Sequence, residues 1–238
     1  MIATNLVRRL VLAAAVSSLA SAMLAGPSIA HSPDPLLGST AWDTDQIVGY
    51  QWWPGAVPPS WAAAEIDAGA EDVGQSRASH AAFFKRVSSA DSRIAYGGNV
   101  PCSSYGIACM NRTGVPESFA GMWFRPHGWS FDWGTLKWCQ ALVSPVNGCY
   151  DVENVALDEF GHIEMLGHHV NFDDDSDFLD SVVQFAARSR PRDGWNEHVF
   201  GRCDVARLQL EYALDKATTP VSSCLNLVAA ATISAGTT

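Results

Sequence analysis

Six cysteines in three closely spaced pairs constrain this chain more than any other feature: Cys102 with Cys109, Cys139 with Cys149, and Cys203 with Cys224. An even set of this kind becomes a framework of bridges only where thiols are oxidised, and the N-terminus supplies that setting. Arg8 and Arg9 precede the apolar run LVLAAAVSSLASAMLAG, no acidic residue occurs before Asp34, and Ser28 and Ala30 give the small-residue pattern for cleavage after Ala30. Residues 1–30 therefore read as a secretory signal peptide, and the twin arginines leave a Tat route open beside Sec. A secreted, extracellular protein is expected, with neighbouring cysteines bridged, although spacing alone leaves other connectivities open. Each closure contributes roughly 2 to 4 kcal/mol, mostly by restricting the unfolded chain. A thiolate metal site is disfavoured, because no C-x-x-C pair is present.

Hydrophobic residues make up 47% of the sequence and charged ones 17%, which is a globular balance. Removing Arg8 and Arg9 with the leader leaves 13 basic against 25 acidic side chains, a net charge of −12. That charge argues against nucleic acid as a partner. No second apolar run is long enough to span a bilayer. Residues 31–44, rich in Ser, Pro and Gly, are expected to form a loosely ordered lead-in, and residues 45–238 a single domain acting as a monomer.

Along that domain, IVGYQWW reads as a strand ending at Pro54, and SWAAAEIDAGAEDVGQ as a helix opened by Ser60, with Trp61, Ala64, Ile66 and Ala70 as its apolar stripe. A short strand is expected around Arg93 to Tyr96, before a turn at Gly97 and Gly98. Between Cys102 and Cys149 the density of Gly, Pro and Trp suggests short strands and loops. Its aromatics (Trp123, Phe124, Trp129, Phe131, Trp133, Trp138) suit the core better than a substrate groove. Asp151 then caps a periodic helix, DVENVALDEFGHIEML, expected to end at Gly167, and a last helix starts at Asp204 with Val205, Leu208, Tyr212 and Leu214 inward.

Chemistry concentrates in ALDEFGHIEMLGHH, Ala156 to His169. On a helix Asp158 and His162 stand one turn apart and project from one face, flanked by Glu159, while Glu164 is expected to point away into solvent. Two ligands at that spacing can reach one metal ion, an adjacent carboxylate can take a proton from water, and a chain reversal at Gly167 can return His168 as a third ligand. The segment resembles the zinc-binding motif of the metzincin metallopeptidases, H-E-x-x-H-x-x-G-x-x-H, and in particular the matrixin-like secreted forms that read HEFGHxxGLGHH. Glu159, Phe160, Gly161, His162, Leu166, Gly167, His168 and His169 match position by position. The likeness is strong over this segment and diffuse elsewhere, from about Ile47 to Tyr212.

The resemblance implies an α+β, metzincin-like zincin domain with a small mixed sheet, an N-terminal helix, an active-site helix and a C-terminal helix. It also implies a secreted zinc metalloendopeptidase acting on a peptide or protein substrate: Asp158, His162 and His168 hold Zn2+, and Glu159 is the general base for water attack. Three positions depart from the pattern: Asp158 replaces the first histidine, Met165 the glycine, and Val183 the methionine expected below the metal. Asp is shorter than His and adds a negative charge that lowers the metal's Lewis acidity. A left-handed Met165 would cost on the order of 1 kcal/mol. The departures suit an alternative, a catalytically inactive secreted binding or structural protein on the same scaffold.

His169 is the alternative third ligand and His198, in GWNEHVFG, the reserve for Asp158, whereas His80 and His127 have no motif around them. Asp173, Asp174, Asp175, Asp177 and Asp180 crowd the following loop; a solvated acidic loop is the first reading there and a Ca2+ site the second, since the D-x-D-x-D-G grammar is absent. Asn111 and Thr113 form a glycosylation sequon.

Overall fold

The computed structural model describes residues 36–37, 42–75, 80–98, 100–112, 118–132, 134–140, 149–169, 181–183 and 198–212. The leader, Trp133, the acidic run Asp173 to Asp180, Leu214 and Cys224 lie outside them.

Strand β1 (Ile47–Trp52) turns Val48 and Tyr50 into the core and stops before Pro54, which cannot donate to a ladder. Helix α1 (Ser60–Gln75) begins at Ser60 itself, with the Ala63 amide bonded to the Pro59 carbonyl. Its buried face is Ala62, Ile66, Gly69, Ala70 and Val73, which corrects the expected stripe: Ala64 is exposed and Trp61 only half-buried. The stripe still repeats every three to four residues, but its phase is set by what α1 packs on, and three alanines in a row, Ala62 to Ala64, leave that phase unmarked in the sequence.

Strands β2 (Phe83–Arg86), β3 (Ser92–Tyr96), β4 (Ala108–Asn111) and β5 (Gly121–Phe124) complete a five-stranded sheet in the order β2-β1-β3-β5-β4. β1 runs parallel to β2 and β3, and β3 parallel to β5; β4 is an antiparallel edge. The parallel β1–β2 pair requires a crossover, which α1 supplies. Two-stranded ladders join β6 (Ser130–Phe131) to β7 (Gly134–Thr135) and β8 (Trp138–Cys139) to β9 (Tyr150–Asp151). Among the described residues the architecture is thus a small mixed sheet with three helices: α1, α2 (Val152–Ile163) and α3 (Arg202–Glu211). None of them is long and apolar enough to cross a membrane.

The expected turn at Gly97 and Gly98 is present, both glycines at positive φ. Of the middle-segment aromatics, Phe124 and Trp138 are core, Trp123 and Phe131 are half-buried, and Trp129 is exposed. Cys102–Cys109 and Cys139–Cys149 are bridged as their spacing suggests. Cys203 is also in a disulfide, and its expected partner Cys224 lies outside the described residues.

Two contacts set the position of α2. A Cβ at Gly69 of α1 would lie 2.8 Å from the Glu153 carbonyl and 2.9 Å from the Ala156 Cβ, so the two helices touch backbone to backbone there. Phe160 is fully buried between Tyr50 of β1 and Phe84 of β2, with ring centroids 5.8 and 4.8 Å away. At about 100° per residue, fixing Ala156, Phe160 and Ile163 inward turns Asp158 and His162 roughly to the opposite side of the helix.

Helix α3 is tied to this layer by Asp204, which is fully buried and accepts hydrogen bonds from the Gly201 and Val182 amides and the Ser181 hydroxyl, each at 2.7 Å. Holding residues 181–183 in this way seats Val183, itself fully buried, against Gly161, where a Cβ would come within 2.5 Å of its Cγ2. The residue standing where the family pattern has methionine thus packs under the helix one position before His162.

Candidate metal centre

Helix α2 opens as the sequence requires: the Asp151 carboxylate accepts from the Glu153 and Asn154 amides at 2.9 and 3.3 Å. Its end differs from the expectation. The helix stops at Ile163 rather than continuing to Gly167, and Met165 takes φ +81°. The Met165 amide bonds to the His162 carbonyl and the Leu166 amide to the Gly161 carbonyl, the paired closure of a Schellman motif in which the left-handed residue is normally glycine. Met165 is buried, and that burial offsets the backbone strain.

The last carbonyls of α2 are then all satisfied. Phe160 accepts from the Glu164 amide, Gly161 from Leu166, His162 from Met165, and Ile163 from the indole Nε1 of Trp42 at 3.0 Å. Leu36 forms an antiparallel bridge with Leu166, and the Leu37 amide donates to the Met165 carbonyl at 2.9 Å. Trp42 is 4% exposed. Part of the stretch expected as a loose lead-in is therefore bonded to the turn after α2. No spacing rule could reveal this, because Trp42 and Ile163 are 121 residues apart.

This turn brings His168 back to His162. Their Nε2 atoms are 3.0 Å apart, and the rings meet nearly edge-to-face at 83°. His162 Nδ1 lies 2.8 Å from the Leu166 carbonyl oxygen, which can only accept, so Nδ1 carries the proton and Nε2 presents its lone pair toward His168. Burial, and after it the neighbouring His162, lowers the His168 pKa to about 4, so this imidazole is neutral at ordinary pH.

Asp158 projects from the same face, with Oδ2 4.0 Å from His162 Nε2. Two nitrogens on one tetrahedral zinc at about 2.0–2.1 Å each stand roughly 3.3 Å apart, close to the separation of the imidazole pair. The donor chemistry of that pair fits zinc: two convergent imidazoles, one with its tautomer held by a backbone carbonyl. Asp158 is farther out, and among the described residues no group of three His, Cys, Asp or Glu side chains is arranged to hold a metal ion.

Glu159 is buried beside this face. Burial raises its pKa to about 8, the neighbouring His162 pulls it back and Asp158 pushes it further up. A cation held by the imidazoles would add its own charge to this balance and favour the carboxylate.

His169 is buried too, its amide bonded to the Val183 carbonyl at 2.8 Å. His198 is not part of the centre. It sits at the opposite end of α2, Nε2 2.8 Å from Asp151 Oδ2 and Nδ1 3.5 Å from Glu153 Oε1. Burial alone would lower its pKa, but Asp151 and Glu153 raise it on balance. Glu164 is not solvated as expected: it is fully buried near the Tyr212 hydroxyl, the Arg112 guanidinium and the Ala82 backbone, and burial raises its pKa to about 8. Helical phase no longer governs it, because as the capping residue it lies where the chain leaves the helix.

No family model matches the chain, and no curated protein matches it. Among solved structures it is similar to the one described as "Structure of Myroilysin", at 11% sequence identity and a TM-score of 0.44, over 74% of this chain and 83% of that one.

Proposed function

We propose that this chain is an exported zinc peptidase of the metzincin type, in which His162, His168 and Asp158 hold the metal and Glu159 is the general base. The observation that carries the reading is the convergence of the two Nε2 atoms at 3.0 Å with the His162 proton held on the other nitrogen. A motif match alone supplies residue types; here the chain also bends so that two of the three expected donors share one point in space.

Zinc bound there would supply a Lewis acid to a scissile carbonyl. The remaining work belongs to the side chains. Glu159, adjacent to the ligand face, accepts the proton of the attacking water and passes it to the leaving amine. Asp158 would be the third ligand, and its negative charge would make the imidazole pair more attractive to a cation. The strand β4, against which α2 packs, is paired on one side only among the described residues, and an extended peptide can lie along its other side.

A second reading, a binding or structural protein without catalysis, is favoured by the outlying position of Asp158, 4.0 Å from His162 Nε2. Metal analysis of the purified mature protein, combined with a general peptide-cleavage assay, separates the two. Stoichiometric zinc and cleavage that disappears in Glu159→Ala support the peptidase. Zinc-free protein without cleavage supports the scaffold.

A further inference from the structure

The turn that carries His168 is not held by α2 alone. Two of its attachments come from the far N-terminal side of the domain. The Leu36–Leu166 bridge, of which the Leu37 amide bond to the Met165 carbonyl is part, pins the turn between the two histidines from one side. The Trp42 indole caps the Ile163 carbonyl just before it. Trp42 is itself fixed: its amide donates to the Tyr212 hydroxyl at 3.3 Å, its ring stands edge-on to Phe84 at 6.4 Å, and the Arg112 guanidinium lies 5.0 Å over its face. Leu37, by contrast, is 52% exposed, so what it contributes is its backbone bond rather than its side chain.

We propose that Leu37 and Trp42 are positioning residues, a strap that sets the turn bearing His168 and so fixes the approach of its imidazole to His162. This inference rests on the metal reading only for its consequence; the strap itself is a claim about the turn. A Schellman closure with Met in the left-handed position is strained, so the turn has a reason to relax once its outside tethers go. The expected cleavage after Ala30 leaves both residues in the chain, whereas trimming that removes Leu36 and Leu37 would release one side of the strap. N-terminal processing is thereby coupled to the site.

The test uses the full mature chain and three variants. Leu37→Pro removes the amide donor while its ring fixes the backbone at 37 and restricts Leu36 to extended conformations; Leu37→Ala keeps that donor; Trp42→Phe keeps a ring and deletes the indole N–H. Hydrogen exchange over residues 162–169, global melting temperature and the visible spectrum of added Co2+ are read for each. The strap predicts exchange about tenfold faster across Met165 to His169 in Leu37→Pro and in Trp42→Phe, with Leu37→Ala behaving as wild type and the melting temperature of Leu37→Pro nearly unchanged. It also predicts a Co2+ spectrum altered or lost in the first two variants and kept in Leu37→Ala. Unchanged exchange in Leu37→Pro overturns the strap. If the wild-type chain takes up no Co2+, the metal reading fails while the exchange comparison still decides the strap.

Discussion

His162 Nδ1 lies 2.8 Å from the carbonyl oxygen of Leu166, and that bond leaves the other nitrogen of the ring, Nε2, to face His168. Because the acceptor is backbone, the orientation comes from the turn and not from a neighbouring side chain.

The third donor is where affinity should be most responsive. Asp158 Oδ2 is 4.0 Å from His162 Nε2, and a histidine at the same helical position reaches farther toward the pair. Asp158→His is expected to tighten zinc binding by about tenfold, equivalent to about 1.4 kcal/mol. His168→Ala should weaken it severely. Competitive titration with a chelating indicator measures both, and equal affinity in wild type and Asp158→His would remove Asp158 from the ligand set.

Met165 sets two effects against each other. Replacing it with glycine relieves about 1–2 kcal/mol of left-handed strain. It also exposes the space of a side chain that is 7% accessible, a loss of about 1.5–3 kcal/mol, and frees the unfolded chain by a further 0.5–1 kcal/mol or about that. Burial wins, so Met165→Gly is expected to destabilise the protein by about 1 kcal/mol, although it restores the glycine of the motif that the segment resembles. Urea unfolding decides the sign; a more stable variant would mean the Met side chain contributes little to packing.

The backbone contact between α1 and α2 makes a sharper prediction. Gly69→Ala puts a methyl group within 2.8 Å of the Glu153 carbonyl and 3.1 Å of the Leu157 amide nitrogen, neither of which can rotate away. A loss of about 1–3 kcal/mol is expected, with α2 displaced from the sheet. Phe160→Ala should cost more, about 3–5 kcal/mol, since it empties the site between Tyr50 and Phe84. A Gly69→Ala protein as stable as wild type would show that the helices have room to separate.

What the sequence made legible, and what it did not, follows from the range of the interactions. The bounds of β1 and α1, the Asp151 cap and the turn at Gly97 and Gly98 rest on neighbours within a few residues, so propensity and spacing suffice for them. The approach of His168 to His162 was also readable, because a helix stop between them leaves the chain few other paths. The stop itself falls before the expected position: glycine at 167 is the stronger sequence signal, yet Met165 takes the left-handed turn because burial of its side chain and bonds from Leu37 and Leu166 favour it there. Burial of Glu164 and capping by Trp42 depend on residues brought from the other end of the domain, and local pattern carries no trace of them.

The interface between the N-terminal turn of α2 and α1 carries a pH signature distinct from the proposed metal site. Asp72 of α1 is buried against Glu153 of α2, with His198, Asp151 and Glu71 around them. Burial is the first cause that raises both acids, Asp72 to about 7 and Glu153 to about 8; Glu153 bonded to Asp72 favours a shared proton, and His198 pulls Glu153 back. In the unfolded chain both return to ordinary carboxyl values near 4, so between about pH 4 and 8 the folded state holds more protons than the unfolded one. Stability from this pair is therefore fully present below about pH 4 and is lost as pH rises through 7 to 8. His198, raised by Asp151 and Glu153, acts in the same direction, binding its proton more tightly in the folded state. Melting temperature followed from pH 5 to 9 should fall as the pair ionises, and Glu153→Gln, which cannot ionise but can still donate to Asp72, should flatten the fall. A wild-type profile level across that range, or a Glu153→Gln profile as steep as wild type, would show that the two carboxyls do not share a proton across the helix interface.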